Sequence, residues 1–135
     1  MNDDPEKIAA AVNQYVFGAA RKDYEAISEA FDVPNAQMKL ISQKECREIV
    51  VTIPIELVWK KIWSTLPDRK QIFADILSLD IRLEKMATVI VNNSDIFLDL
   101  LTLYKVNGQW KIVDKLSRPL SGETPVLDLD DILSN

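Results

Sequence analysis

Histidine occurs nowhere in the 135 residues, and cysteine occurs once, as Cys46. These two scarcities remove most of the common catalytic chemistries. Zinc sites draw on His and Cys ligands, and Ser-His-Asp or Cys-His systems need an imidazole base. Acid–base work would therefore fall to carboxylates, Tyr or Lys, and no residue set calls for a metal or a cofactor. A single thiol cannot close an internal disulfide, which fits a reducing cytoplasm, and Cys46 is expected to be inert. Long apolar runs are missing too: none approaches the about 18 residues of a membrane span. The start lacks the basic-then-apolar pattern of a secretory leader, so a soluble cytoplasmic chain with no membrane partner is expected. Basic clusters are equally scarce, since Lys60-Lys61 and Arg69-Lys70 are isolated doublets in a chain of net charge -5. Phosphate binding rests on clustered Lys and Arg, which excludes nucleic acid as a partner.

What remains is 47% apolar and 27% charged residues, the mix of one soluble domain with an ordinary core. Its best-specified stretch runs from Ile96 to Lys115. Asn107-Gly108 supplies the positive φ that a type I′ hairpin turn needs at both central residues, and the flanks are β-branched and aromatic. Symmetric pairing from that turn sets Lys105 against Trp110, Leu103 against Ile112, Leu101 against Asp114 and Asp99 against Leu116. One face then carries Phe97, Asp99, Leu101, Leu103, Trp110, Ile112 and Asp114. The other carries Leu98, Leu100, Thr102, Tyr104, Lys111, Val113 and Lys115. Neither face is cleanly polar, so helices are expected over one and a partner over part of the other.

Asp4-Pro5-Glu6 opens a helix to about Lys22, with Ile8, Ala11, Val12, Tyr15, Val16 and Ala19 at helical spacing. Asp23 caps a second helix, Tyr24 to Phe31. Strands follow at Ala36 to Ser42 and Arg47 to Ile53. A third helix runs from Pro54 until Pro67, with Trp59 and Trp63 one turn apart on one groove. Gln71 to Leu83 and Met86 to Val91 read as strands, and Asn92-Asn93-Ser94 as the turn into the hairpin. The order defines an α+β domain over residues 1–117. The tail 118–135 is a loose end or a dimer arm laid on a neighbour.

The segments QYVFGAARKDYEAISEAF, FADILSLDI with ATVIV, and FLDLLTLYKVNGQWKIVDK carry a resemblance. The chain resembles the nuclear transport factor 2-like superfamily, and within it the bacterial "putative lumazine-binding" family, which is SnoaL-like. The resemblance implies a cone-shaped fold, with three N-terminal helices packed on a curved antiparallel sheet. It also implies a homodimer through the sheet face. The first helix is similar to that of ketosteroid isomerases, which implies an oxyanion-hole role for Tyr15. The carboxylate base of those enzymes, however, would fall on Leu40, and Leu cannot move a proton.

The pocket candidates are Tyr15, Trp59, Trp63, Asp80, Phe97, Asp99, Leu101, Trp110 and Asp114. A carboxylate in an apolar cone can act as acid or base, or fix a ligand's polar groups. Against this, a half-buried strand acid is commonly hydrated or paired. Asp99 stands out because it interrupts an apolar FLxLLTL run where nothing structural asks for charge. Phe97, Leu101 and Trp110 serve as pocket wall or as core. Trp59 and Trp63 can stack on a flat heterocycle or simply pack their helix. The favoured function is binding of a small hydrophobic or aromatic molecule. The alternatives are a carboxylate/tyrosine isomerase, dehydratase or cyclase, and a protein-interaction module.

Overall fold

A computed structural model describes residues 2–134. Two helices, α1 (Asp4–Arg21) and α2 (Tyr24–Ala30), precede a hairpin of β1 (Gln37–Lys44) and β2 (Arg47–Pro54). Helix α3 (Ile55–Lys61) and a 3-10 turn at Trp63–Thr65 lead to four strands: β3 (Ala74–Arg82), β4 (Met86–Asn93), β5 (Phe97–Val106) and β6 (Gln109–Pro119). A short α4 (Leu129–Leu133) closes the described chain. Only α1 and α2 are thus N-terminal to the sheet. The expected third helix follows the first hairpin.

The six strands form one sheet in the order β2-β1-β6-β5-β4-β3. It is mixed, not antiparallel throughout as expected, because β1 pairs with β6 in parallel through Gln37–Leu40 and Asp114–Ser117. The cause lies in α3. That segment carries the chain from the β2 edge to the β3 edge of the sheet, so β3 starts in the direction of β2 and three further reversals leave β6 running with β1.

Local chemistry accounts for the elements. Asp23 accepts a bond from the Ala26 amide and caps α2. Gly18 lets the two helices meet, since a Cβ there would lie 2.9 Å from the Ala26 Cβ. The two-residue turns are Asn107-Gly108, with φ of 52° and 78°, and Glu45-Cys46, with 53° and 62°. The first is the expected turn and the second falls one residue later than Gln43-Lys44-Glu45. Helix α3 ends before the expected Pro67. There the Ser64 and Thr65 hydroxyls donate to the carbonyls of Lys60 and Ile62, offering the backbone an alternative to continued α-helix.

Two β-bulges decide which charges face the core. In β6 the register runs Leu103 to Ile112, skips Val113 and resumes at Thr102 to Asp114. A slip of one residue turns every following side chain to the other face. Asp99 therefore faces Ser117 rather than Leu116, and Leu101 faces Lys115 rather than Asp114. In β3 the register skips Leu77, which turns Leu79 and Ile81 onto the face of Val89 and Ala87, and sets Asp80 opposite exposed Thr88.

The core lies between the inner sheet face and the helices: Ile8, Val12, Tyr15 and Val16 of α1 meet Leu101, Leu103 and Ile112, all buried. The tail is neither loose nor extended away from the chain. The Pro125 carbonyl accepts from the Gln43 amide and the Ser42 hydroxyl, the Leu127 amide donates to that hydroxyl, and Ile132 is buried. Asn135, the last residue of the expected tail, lies outside the described residues.

A cavity over a buried carboxylate

Asp99 is fully buried, and four side chains surround its carboxylate. The Tyr15 hydroxyl donates to Oδ2 at 2.7 Å, and the Asn93 amide donates to the same oxygen at 3.2 Å. The Ser117 hydroxyl donates to Oδ1 at 2.8 Å, and the Lys115 ammonium lies 3.5 Å from it. Stripping water from a carboxylate costs several kcal/mol unless its lone pairs are matched and a counter-charge is near. Here both conditions hold. The four partners come from three places: Tyr15 from α1, Asn93 from the end of β4, and Lys115 and Ser117 from β6 beyond its bulge.

Lys115 is itself buried, with its nitrogen 5.5 Å from the Tyr15 ring centre, 5.6 Å from that of Trp63 and 3.4 Å from the Met38 sulfur. Burial pulls its pKa below the ordinary lysine value, and the Asp99 charge only partly opposes this. Burial pushes the Tyr15 phenol well above its ordinary value, and the adjacent Asp99 carboxylate pushes it the same way. Tyr15 also packs edge-on to Phe31, with centroids 5.3 Å apart, and is tilted against Trp63 at 5.5 Å.

Above this cluster opens a cavity of about 200 Å³. Helix α1 contributes Tyr15 and Ala19. The segment after α3 contributes Ile62, Trp63, Leu66 and Arg69. The sheet contributes Met38, Leu40, Ile41, Asn93, Phe97, Lys115, Ser117 and Pro119, and the tail adds Pro125 and Leu127. The polar side chains gather on one side, and the rest of the wall is apolar. Arg69 lies 5.6 Å over the Phe97 ring and donates to the Asn93 side-chain carbonyl at 3.2 Å.

Of the nine candidate residues, Tyr15, Trp63 and Phe97 line the cavity, with Asp99 directly behind its wall. Leu101 is core. Trp59 does not share a groove with Trp63: it packs on Tyr24 at 5.3 Å, because the tighter winding after Lys61 turns Trp63 inward away from it. Trp110 is buried as expected but faces the start of α1, where its indole donates to Asp4 at 2.9 Å. That bond, with the Lys105 ammonium at 3.1 Å, holds the Asp4 carboxyl below its usual range and replaces the expected cap. Asp80 is exposed and paired with Arg82 at 3.0 Å. Asp114 is on the outer face, 2.7 Å from Lys39.

Asn93, Ser117, Lys115 and Arg69 are the polar residues that sequence reasoning missed. Asn93 reads as a turn residue, but the reversal falls on Ser94-Asp95, both with φ of 60°, which leaves Asn93 on the strand facing in. For Lys115 there was one signal. Regular alternation would bury Asp99 and Asp114 together without a cation, an arrangement that low dielectric forbids, and a one-residue slip relieves it by exchanging Asp114 for Lys115. Among the described residues no group of His, Cys, Asp and Glu could hold a metal, and no helix is long and apolar enough to cross a membrane.

A mixed six-stranded sheet closed by helices over an interior cavity defines the nuclear transport factor 2-like α+β fold. Solved structures of that class match this chain closely in shape. An NTF2-like protein of unknown function from Shewanella baltica OS155 aligns at TM-score 0.73 and 22% identity, covering 86% of this chain and 93% of its own. One from Methylobacillus flagellatus KT aligns at 0.70 and 24%, covering 88% and 94%. One from Silicibacter pomeroyi DSS-3 aligns at 0.69 and 21%, covering 88% and 99%. The chain belongs to the family described as "Putative lumazine-binding", whose family model matches residues 3–117. No curated protein matches it.

Proposed function

We propose that the protein is a small-molecule binding module whose ligand occupies the cavity between α1, the inner sheet face and the tail. The observation that carries this reading is the cavity itself, about 200 Å³ with apolar walls and polar side chains converging on one side. A dry cavity of about 150 Å³ holds benzene. The volume here thus suits one ring with a short substituent, and a two-ring pteridine only at its limit. A lumazine would also set ring nitrogens and carbonyls against Met38, Leu40, Ile62 and Leu66, at about 1–3 kcal/mol for each group left unpaired. A compound with one polar end and an apolar body meets no such cost.

An acid–base enzyme is the second reading, favoured by the 2.7 Å contact of Tyr15 with Asp99. Their commitments weigh against it. Both Asp99 oxygens are engaged behind the wall, and the Tyr15 hydroxyl, which donates to Asp99, also accepts from Asn93 at 3.3 Å. Neither is free to exchange a proton with a ligand, and Leu40 presents no base from β1. Ligand-observed NMR with single-ring fragments tests the binding reading. Fragments should bind the native chain and lose binding in Ala19→Leu, which fills the cavity from α1. Equal binding to both, or none to the native chain, would refute it.

We further infer that a second copy covers the outer sheet face. Leu100, Tyr104 and Leu116 are exposed there beside the half-exposed Lys39–Asp114 pair, so a two-fold rotation can set apolar on apolar and each charge against its opposite. Sedimentation equilibrium should give a dimer that Leu100→Lys dissociates.

A further inference from the structure

The charges on the cavity wall do not balance. Two cations, Arg69 and Lys115, line it, and no carboxylate does, in a chain whose net charge is -5. Asp99 lies behind the wall, and both its oxygens are already engaged: Tyr15 and Asn93 on one, Ser117 and Lys115 on the other. It answers Lys115 and has no acceptor site left for a second cation. Arg69 pairs with no carboxylate among the described residues. It gives one hydrogen bond, to Asn93, and is half-buried against Phe97, which leaves a planar fork of donors unmatched at the polar side of the cavity.

Resting on the binding reading above, we propose that the ligand is a small monocarboxylic acid with a single-ring or branched apolar body, its carboxylate held by Arg69 over Lys115. A guanidinium fork matches a carboxylate edge to edge, and a charge-assisted bond inside an apolar cavity is about twice as strong as a neutral one. The anion would leave the set of half-buried Arg69, buried Lys115 and Asp99, and ligand with equal charges of each sign. The body would lie on Leu40, Met38 and Leu127.

The test uses the whole chain and three probes of one shape, phenylacetate, phenylacetamide and phenethylamine, titrated by calorimetry at constant ionic strength. The acid should bind at least about tenfold more tightly than the amide, and the amine more weakly than either. Arg69→Gln should weaken the acid at least about tenfold more than it weakens the amide, and so remove that preference. An amide that binds as well as the acid, or an Arg69→Gln variant that weakens both equally, overturns the carboxylate assignment and leaves the cavity as a binding site. Failure of all three probes to bind overturns both. The comparison of probes on the native chain stands even if the variant does not fold.

Discussion

The two halves of the β5–β6 ribbon follow the same alternation rule and end with opposite outcomes. Between the turn and Ile112, Trp110 and Ile112 point inward beside Leu103, as strict alternation requires. Beyond Val113 the phase is reversed: acidic Asp114 is outside on Lys39, and basic Lys115 is inside on Asp99. In the turn half, apolar burial sets the register. In the far half, electrostatic balance around one buried carboxylate sets it. A hydrophobic pattern fixes a strand's phase only while no buried charge needs a partner from the wrong side.

Lys115→Met should break this contrast most severely. It strips the counter-charge from Asp99, a loss worth about 3–5 kcal/mol in urea unfolding. A further Asp99→Asn change should recover part of that loss, so the double variant is more stable than the two single costs predict.

Tyr15→Phe comes next, at about 1–3 kcal/mol, because Asp99 loses its shortest hydrogen bond. The same variant carries a pH signature. The Tyr15 pKa is raised on folding, so its contribution is fully present below the ordinary value of 10.0 and is lost as pH rises above it. Native stability should fall above pH 10 more steeply than that of Tyr15→Phe. Lys115 acts with the opposite sign. Its pKa is lowered, so the unfolded chain holds the extra proton and stability rises with pH up to about the ordinary value of 10.5. Lys115→Met should flatten that rise in a series of melts.

The turn half is tested by Gly108→Ala. At φ of +78° a Cβ meets no neighbour, so the expected cost is the left-handed backbone penalty alone, about 1–2 kcal/mol. Smallest of all is Asp114→Asn. Its ion pair with Lys39 is more than a third exposed on both sides, so the change should cost about 0.2–1 kcal/mol and shrink further in high salt. Were Asp114→Asn to cost as much as Lys115→Met, the reversed phase would be wrong.

The sequence disclosed element order, the hairpin turn, the Asp23 cap, the α1 stripe and the singular position of Asp99, because each rests on local propensity or on a period of 3.6 or 2. It did not disclose the skipped residues Val113 and Leu77, which carry no composition signal of their own. Those bulges account for the misplacement of Asp114 and Asp80. Trp59 and Trp63 separated because two hydroxyls back-bonded to the helix, and Asn93 turned inward because the reversal shifted onto Ser94-Asp95. All of these depend on competition between alternatives nearly equal in local energy, which the tertiary environment decides.

The parallel seam joins residues 37–40 to residues 114–117. A nascent chain therefore cannot close its sheet, seat Lys115 beside Asp99 or wall the cavity until β6 has left the ribosome. Seams of such sequence separation form slowly. Release of β6 together with the tail behind it, which brings Pro125 and Leu127 to the wall, should thus be the step at which ligand-binding competence appears, all at once rather than by degrees.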